Sequence, residues 1–397
     1  MRKVLIISQN FYPEIGSAGN RIKNIYLLLK ENNIEVDILT TDPTYPNRNL
    51  YKDGSFWDDY DLNEDTNIHR VKIKNKRYSR SIMNRLIYYL EIAIKFVYVI
   101  LRKREKYDVV FVTSPPIFVA MVGLIAKFRY KAKLILDIRD LWPESLKGVG
   151  VFNFSIIIKL FRLIEMLLYK KANHIIVNSK GFIDYITSRS AMFKEKITYI
   201  PNGARNSEIS NSISHQQEFK VIYAGNLGLA QDDAIIKKLA EELYFRNIGL
   251  TIVGYGLRRE DFSEYVHKNC LNNVTFISPT TREKCLKIIS EHQVGVVTLV
   301  DKDVFRTVLP GKIIDYMTCG IPIIGSVSGF SKDIIKNQQV GFVSDNHDIN
   351  DLISFIEKIK GNKKLQKEIN NNARRYVKNN FLWEKNIEVL VDVINSP

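Results

Sequence analysis

Three cysteines in 397 residues, Cys270, Cys285 and Cys319, are too few and too widely spaced for a disulfide framework or a Cys-x-x-Cys zinc site. That scarcity is what a reducing compartment leads one to expect. Long apolar runs are also missing. The nearest approach, Leu86–Leu101, is interrupted by Glu91 and Lys95, whereas a spanning helix needs about 18 or more uncharged apolar residues. The start, Met1-Arg2-Lys3 then Val4–Ser8, is too short in apolar residues for a signal-peptide core and suits a first buried strand. No Gly-x-Gly-x-x-Gly occurs after it, which removes the dinucleotide fingerprint. What remains is 45% hydrophobic and 25% charged residues, the balance of a folded chain of about two or three domains and not of a disordered or collagen-like one.

Charge is abundant and uneven. The formal net charge is +15, and Arg70–Lys106 holds twelve Lys and Arg against only Glu91 and Glu105, about two thirds of the excess. Within it, Tyr88, Glu91, Lys95, Tyr98 and Arg102 recur at spacings of three and four, which predicts one polar stripe on an otherwise apolar helix. Such a helix packs into a core, or lies on an anionic membrane surface with its basic flanks on the headgroups. No nucleic-acid-binding motif accompanies the charge, so nucleic acid is not expected as a partner.

Short apolar runs alternate with helical stretches twice along the chain. Strands are expected at Val4–Ser8, Glu35–Leu39, Val109–Val112, Lys133–Leu136, Ile175–Val177 and Ile197–Ile200. A second series is expected at Lys220–Ala224, Leu250–Val253, Val274–Ile277, Val294–Val297 and Pro322–Ile324. Between the series, Pro201–Gln217 is rich in Ser and Asn and reads as a linker. Asp42–Asp65 reads as an excursion loop. The pattern predicts two doubly wound parallel-sheet α/β domains facing across a cleft: 1–200, a linker at 201–218, 219–378, and a final helical 379–397. Ligands of such sheets bind beyond the carboxyl ends of the strands.

The loops after strands are therefore the candidates. Gly16 and Gly19 allow close backbone approach ahead of a helix N-terminus, or form an ordinary turn. Ser114 could cap the helix after Pro115-Pro116. In Asp137-Ile138-Arg139-Asp140-Leu141-Trp142-Pro143-Glu144, charge crowds directly behind a buried strand. It forms either an Asp–Arg pair that fixes the loop or a polar wall of Arg139, Asp140 and Glu144 for a hydroxylated or phosphorylated ligand. Gly225-Asn226-Leu227-Gly228 is a place where backbone amides can meet an anion, and Gly254-Tyr255-Gly256 and Ser278-Pro279-Thr280 close the next two strands. Pro310 suits a first helical position, leaving the amides of Gly311 and Lys312 toward a diphosphate. Lys312 adds charge there and Asp315 lies one turn on, suited to a ribose. The alternative is a surface pair on a solvated helix.

In order and spacing, Asn10–Glu14 with Gly16 and Gly19, Asp137–Glu144, Tyr199–Gly203, Tyr223–Gly228 and Pro310–Met317 resemble the family 4 glycosyltransferases, over nearly the whole chain. The branch most similar builds bacterial O-antigen, capsule and colanic-acid units and includes N-acetyl-fucosamine transferases. The resemblance implies the GT-B fold and a metal-independent, retaining enzyme with no cofactor beyond its nucleotide-sugar donor, for which a UDP-sugar is expected. It places the donor in the C-terminal domain, the nucleobase at backbone near Pro279 and Thr280, and the ribose at Asp315. The lipid-diphosphate sugar acceptor then enters over the N-terminal domain, on the inner face of the cytoplasmic membrane, and the last helix returns to the first domain.

The sequence departs from the family's pattern at Thr307, where a glutamate is usual, at Asn226 and Gln231, where Arg and Lys are, and at Arg139, where a histidine is. These departures shift weight for the donor phosphates to Lys312 and for the acceptor to Arg139, with Asp140 as the other catalytic candidate. A nucleotide-sugar epimerase of the same fold and a non-catalytic membrane-bound assembly partner remain the alternative functions.

Overall fold

The structure, a computed structural model, describes residues 2–74, 82–150, 155–209 and 218–396. The chain separates into two compact units, Met1–Pro201 with Glu384–Pro397, and Asn202–Trp383.

The first unit is built on seven parallel strands: β1 Lys3–Ile7, β2 Glu35–Thr41, β3 Ile68–Val71, β4 Val109–Ser114, β5 Lys133–Ile138, β6 His174–Val177 and β7 Ile197–Tyr199, in the order β3-β2-β1-β4-β5-β6-β7. Val4–Ile7, Val109–Val112 and Leu134–Leu136 are buried throughout, as continuous apolar strands covered on both faces must be. From β3 onward each connection of this central run steps the same way across the sheet. Right-handed crossovers therefore put the helices Ile82–Arg102, Ile117–Tyr130 and Ser155–Lys171 on one face. They pack side by side with Ile117–Tyr130 in the middle. The final helix Trp383–Asn395 belongs to this unit: Asn386 Nδ2 donates to Pro201 O at 3.1 Å and Lys133 Nζ to Val393 O at 2.7 Å.

The second unit has six parallel strands: β8 Lys220–Asn226, β9 Gly249–Tyr255, β10 Val274–Ile277, β11 Val294–Thr298, β12 Ile323–Ser326 and β13 Gly341–Val343, in the order β10-β9-β8-β11-β12-β13. Its core includes Val221, Tyr223, Leu239, Ile252, Val296 and Ile324.

Several expectations change. β3 and β13 were not foreseen: β3 carries His69 and Arg70 and β13 has three residues, too few for periodicity to show. Asp42–Asp65 is not simply a loop; it contains the short helix Tyr60–Glu64 and two 3-10 turns. Pro201–Gln217 is not a linker throughout. Asn202–Ile209 folds into the second unit, where Ala204 bridges to Leu382 and Glu208 pairs with Arg282; residues 210–217 lie outside the described ones. Ser114 is the buried last residue of β4 and caps nothing, since Pro116 occupies the N-cap position. Pro310 is likewise the N-cap, one residue ahead of the helix Gly311–Cys319.

The helix Ile82–Arg102 packs one apolar face inward, with Ile92, Phe96 and Ile100 buried, and turns a second apolar stripe outward, so it meets both placements that its pattern allows. Tyr88 is buried, and Glu91 and Lys95 pair with each other while holding the chain next to β3: Lys74 N donates to Glu91 Oε1 at 2.7 Å and Lys95 Nζ to Lys72 O at 2.6 Å. These polar groups satisfy surface backbone beside β3, and the stripe Ile87, Leu90, Ile94, Tyr98 and Leu101 faces outward. Lys76, Arg77 and Arg80 of the basic segment lie outside the described residues.

Candidate functional site

In the second unit, β8 ends in Gly225 and Asn226, and the chain leaves the sheet toward Gln231. Gly225 has φ +127°, and a Cβ there would stand 3.5 Å from Lys312 Cε. The left-handed backbone excludes other residues, and the missing side chain lets the lysine lie along the strand end. Lys312, in the first turn of Gly311–Cys319, places Nζ 3.6 Å from the centroid of the Tyr223 ring and donates to Gln231 Oε1 at 3.3 Å. The Tyr223 hydroxyl donates to Asn226 O at 2.8 Å and lies 3.0 Å from Gln231 Oε1. Burial pulls the Lys312 ammonium down to about 7, against the opposing field of Asp315. An ammonium over an aromatic face beside a helix N-terminus is a cation held ready for an anion.

One turn on, Asp315 accepts from Arg282 Nη1 at 3.0 Å, and the same guanidinium grips Glu208, with Nη2 3.0 Å from Oε2. Burial raises the Asp315 carboxyl and Arg282 opposes it. Tyr255 ends β9 opposite Asn226, and its carbonyl accepts from Leu227 N at 2.6 Å. Pro279 and Thr280 lie just ahead of Thr281, the N-cap of the helix Arg282–Ser290. Gly225, Asn226, Gln231 and Lys312 thus come together, with Gly228 beside Asn226 and Asp315 joined through charge.

Sequence reasoning missed Tyr223, Arg282 and Glu208. Tyr223 stood in a quoted motif but read as strand. Arg282 and Glu208 are 74 residues apart, a separation that carries no local signal.

In the first unit, Gly16 takes φ 101° at the N-cap of Ser17–Glu31. A Cβ on Gly19 would stand 2.1 Å from Glu14 O, so the loop lies directly on the first helical turn. Glu14 is buried and accepts from Tyr45 N at 2.8 Å, and burial pushes its carboxyl up to about 8. Ile15 N donates to the Tyr51 hydroxyl at 3.0 Å and Arg70 Nη2 to Tyr12 O at 2.6 Å. The 42–57 segment is thereby pinned to the first loop.

The crowded loop after β5 resolves into separate tasks. Asp137 lies within the strand and takes a two-pronged contact from Arg21, Nη2 at 2.7 Å and Nε at 3.1 Å, with side chains 0% and 1% exposed. The expected Asp–Arg pair exists, but with an arginine from another element. Arg139 is partly buried; its Nη2 donates to Pro115 O at 2.7 Å, its backbone N to Ser114 O at 2.8 Å, and its Nε finds no partner among the described residues. Asp140 accepts from Leu141 N at 2.9 Å, and burial raises its carboxyl. Glu144 is held by Arg162 at 2.7 Å and Arg189 at 3.4 Å, which makes it an anchor of the loop and not an open wall. Among the described residues no group of three His, Cys, Asp or Glu side chains gathers as a metal site.

Residues 16–203 match the family model described as "Glycosyl transferase 4-like domain", and residues 205–376 match "Glycosyl transferases group 1". The chain belongs to the glycosyltransferases. This glycosyltransferase is 21% identical over 280 residues to an uncharacterized glycosyltransferase of Methanocaldococcus jannaschii, covering 68% of this chain and 70% of the relative. Its fold is similar to that of sucrose-phosphate synthase from Thermosynechococcus elongatus, with TM-score 0.75 at 16% identity over 99% of this chain and 98% of that one. It is also similar to Anabaena HepE, solved in complex with UDP and glucose, with TM-score 0.73 at 17% identity over the whole of both chains. With a seven- and a six-stranded parallel sheet, the glycosyltransferase has the GT-B fold.

Proposed function

We propose that the protein transfers a sugar from a UDP-sugar to a lipid-diphosphate-linked sugar, with retention and without a metal, in bacterial surface polysaccharide synthesis. N-acetyl-fucosamine or a related sugar is the proposed cargo, and the inner face of the cytoplasmic membrane the proposed place. The observation that carries this reading is Lys312, held over Tyr223 at the head of Gly311–Cys319 and against Gly225. A diphosphate there meets one ammonium and the free amides of a helix start. That HepE was solved with UDP and glucose supports a uridine donor.

No protein nucleophile is required. The bond from the sugar's anomeric carbon to the diphosphate oxygen breaks, a bond from the same carbon to the acceptor hydroxyl oxygen forms on the same face, and the hydroxyl proton passes to the departing diphosphate. Lys312 and the amides at Gly228 and Gly311 neutralise charge growing on the diphosphate. Asp315, oriented by Arg282, receives the ribose, with Pro279, Thr280 and Tyr255 beside the base. Arg139, with Nε open, and Asp140 position the acceptor over the floor made by Gly16 and Gly19.

Thermal unfolding with UDP, GDP, ADP and CMP in separate samples tests the donor site. A ligand at 100 times its Kd stabilises by about 2.7 kcal/mol. UDP alone is expected to raise the Tm, and Lys312→Ala to abolish the rise; no rise with any nucleotide would overturn the reading.

A further inference from the structure

The largest unexplained feature of the first unit is its outer helical layer. On Ile82–Arg102 the outward stripe is apolar, with Ile94 68% exposed. Its neighbour Ile117–Tyr130 adds Ile125 and Phe128, the latter 62% exposed. The third helix, Ser155–Lys171, adds Ile156 at 83%, Leu160, Leu163 and Leu167. The helices lie side by side, so these stripes form one continuous face. Soluble proteins rarely leave so broad an apolar surface in water without a partner. The helix is already anchored to its own unit by the buried Ile92, Phe96 and Ile100, so the outward stripe is apolar surface in excess of what the core uses.

The rim identifies the occupant. All three helices end at the same edge, since each runs back toward the start of the next strand. There Arg102, Arg104 and Lys106 follow the first, Arg129 and Lys131 the second, and Lys170 with Lys171 close the third, against Glu105 and Asp108. An apolar face with a predominantly basic edge is complementary to a bilayer whose acyl region adjoins anionic headgroups. Among the described residues no helix is long and apolar enough to cross a membrane.

We infer that these three helices together form the surface on which the protein lies on an anionic bilayer. The face is wider than the Arg70–Lys106 segment, with two of its helices contributed by other parts of the chain. The inference deepens the lipid-linked acceptor reading and rests on it for the purpose of the contact, while the contact itself is tested separately.

The test is flotation of the full chain with phosphatidylcholine vesicles, with and without phosphatidylglycerol. The wild type is expected to float only with the anionic lipid and to be released by high salt. The triple variant Ile94→Asp/Phe128→Asp/Leu163→Asp should bind at least tenfold more weakly while keeping its UDP-dependent rise in Tm, which shows that it folds. Arg104→Glu/Lys106→Glu/Lys131→Glu should lose the preference for phosphatidylglycerol. Vesicle binding by the triple variant equal to wild type would overturn the assignment of the face. So would a wild type that ignores vesicles and instead forms a dimer the triple variant cannot form, because a second copy would then cover the helices. Vesicle binding without any nucleotide-dependent rise in Tm would leave this inference standing and defeat the donor reading.

Discussion

Lys312 Nζ stands 3.6 Å from the centre of the Tyr223 ring, so the cation at the head of Gly311–Cys319 is held by an aromatic face and an amide oxygen of Gln231, with no carboxylate in direct contact among the described residues. Burial brings its ammonium to about 7. A bound diphosphate favours the charged form, so binding takes up a proton wherever the empty site has lost it. UDP affinity is therefore expected to fall as pH rises from about 7 to about 8.5, where the terminal phosphate is already largely ionised. Calorimetric titration of UDP checks this, and Lys312→Met should bind weakly with no such slope. A flat wild-type profile would remove Lys312 from the phosphate site.

Arg282 stands between two carboxylates, Glu208 and Asp315, from distant parts of the chain. All three side chains are about a quarter exposed, so the loss falls below that of a fully buried pair. Arg282→Met should lower unfolding free energy in urea by about 2 kcal/mol and weaken UDP binding through Asp315. Adding Asp315→Asn should recover part of the stability and none of the binding. Recovery of both would show that Asp315 serves the fold alone.

Arg21 and Asp137 are fully buried together. Removing one partner strands a charge, so Arg21→Met should lose about 3–5 kcal/mol. The double variant with Asp137→Asn should lose less than Arg21→Met does. Equilibrium denaturation of the three variants measures the coupling, and simple additivity would mean that the pair is not a unit.

Glu14 keeps its proton up to about pH 8 in the folded protein, whereas an unfolded glutamate releases it near 4.3. The folded state therefore holds the extra proton between these values, and this group's contribution to stability declines as pH rises through the window. Glu14→Gln, which keeps an oxygen for Tyr45 N, should flatten the decline; Glu165, raised to about 7 by burial, remains in both proteins. Parallel slopes for wild type and variant between pH 5 and 8 would contradict the burial of a neutral Glu14.

Legibility in the sequence followed the range of the physics. β1, β4, β5, β8 and β11 announced themselves because a strand covered on both faces must be apolar along its length. Loops with glycine at strand ends were equally visible, and the structure brings Gly225, Gln231 and Lys312 together. The helix Ile82–Arg102 was left open between core and surface, because periodicity identifies two faces without saying what each one meets. Packing settled it: Tyr88, Ile92, Phe96 and Ile100 turn inward, while Ile87, Leu90, Ile94 and Leu101 stay exposed.

Two parallel α/β units and the loops where chemistry is sited follow from local pattern, because alternation, glycine and helix starts act over a few residues. Packing in three dimensions assigned Asp137 to Arg21 and Asp315 to Arg282 and Glu208, and turned the apolar stripes of three helices outward on one layer. Ion pairs and shared faces form between residues tens to more than a hundred positions apart, and their partners are chosen by the packing of the sheet, which no local pattern encodes.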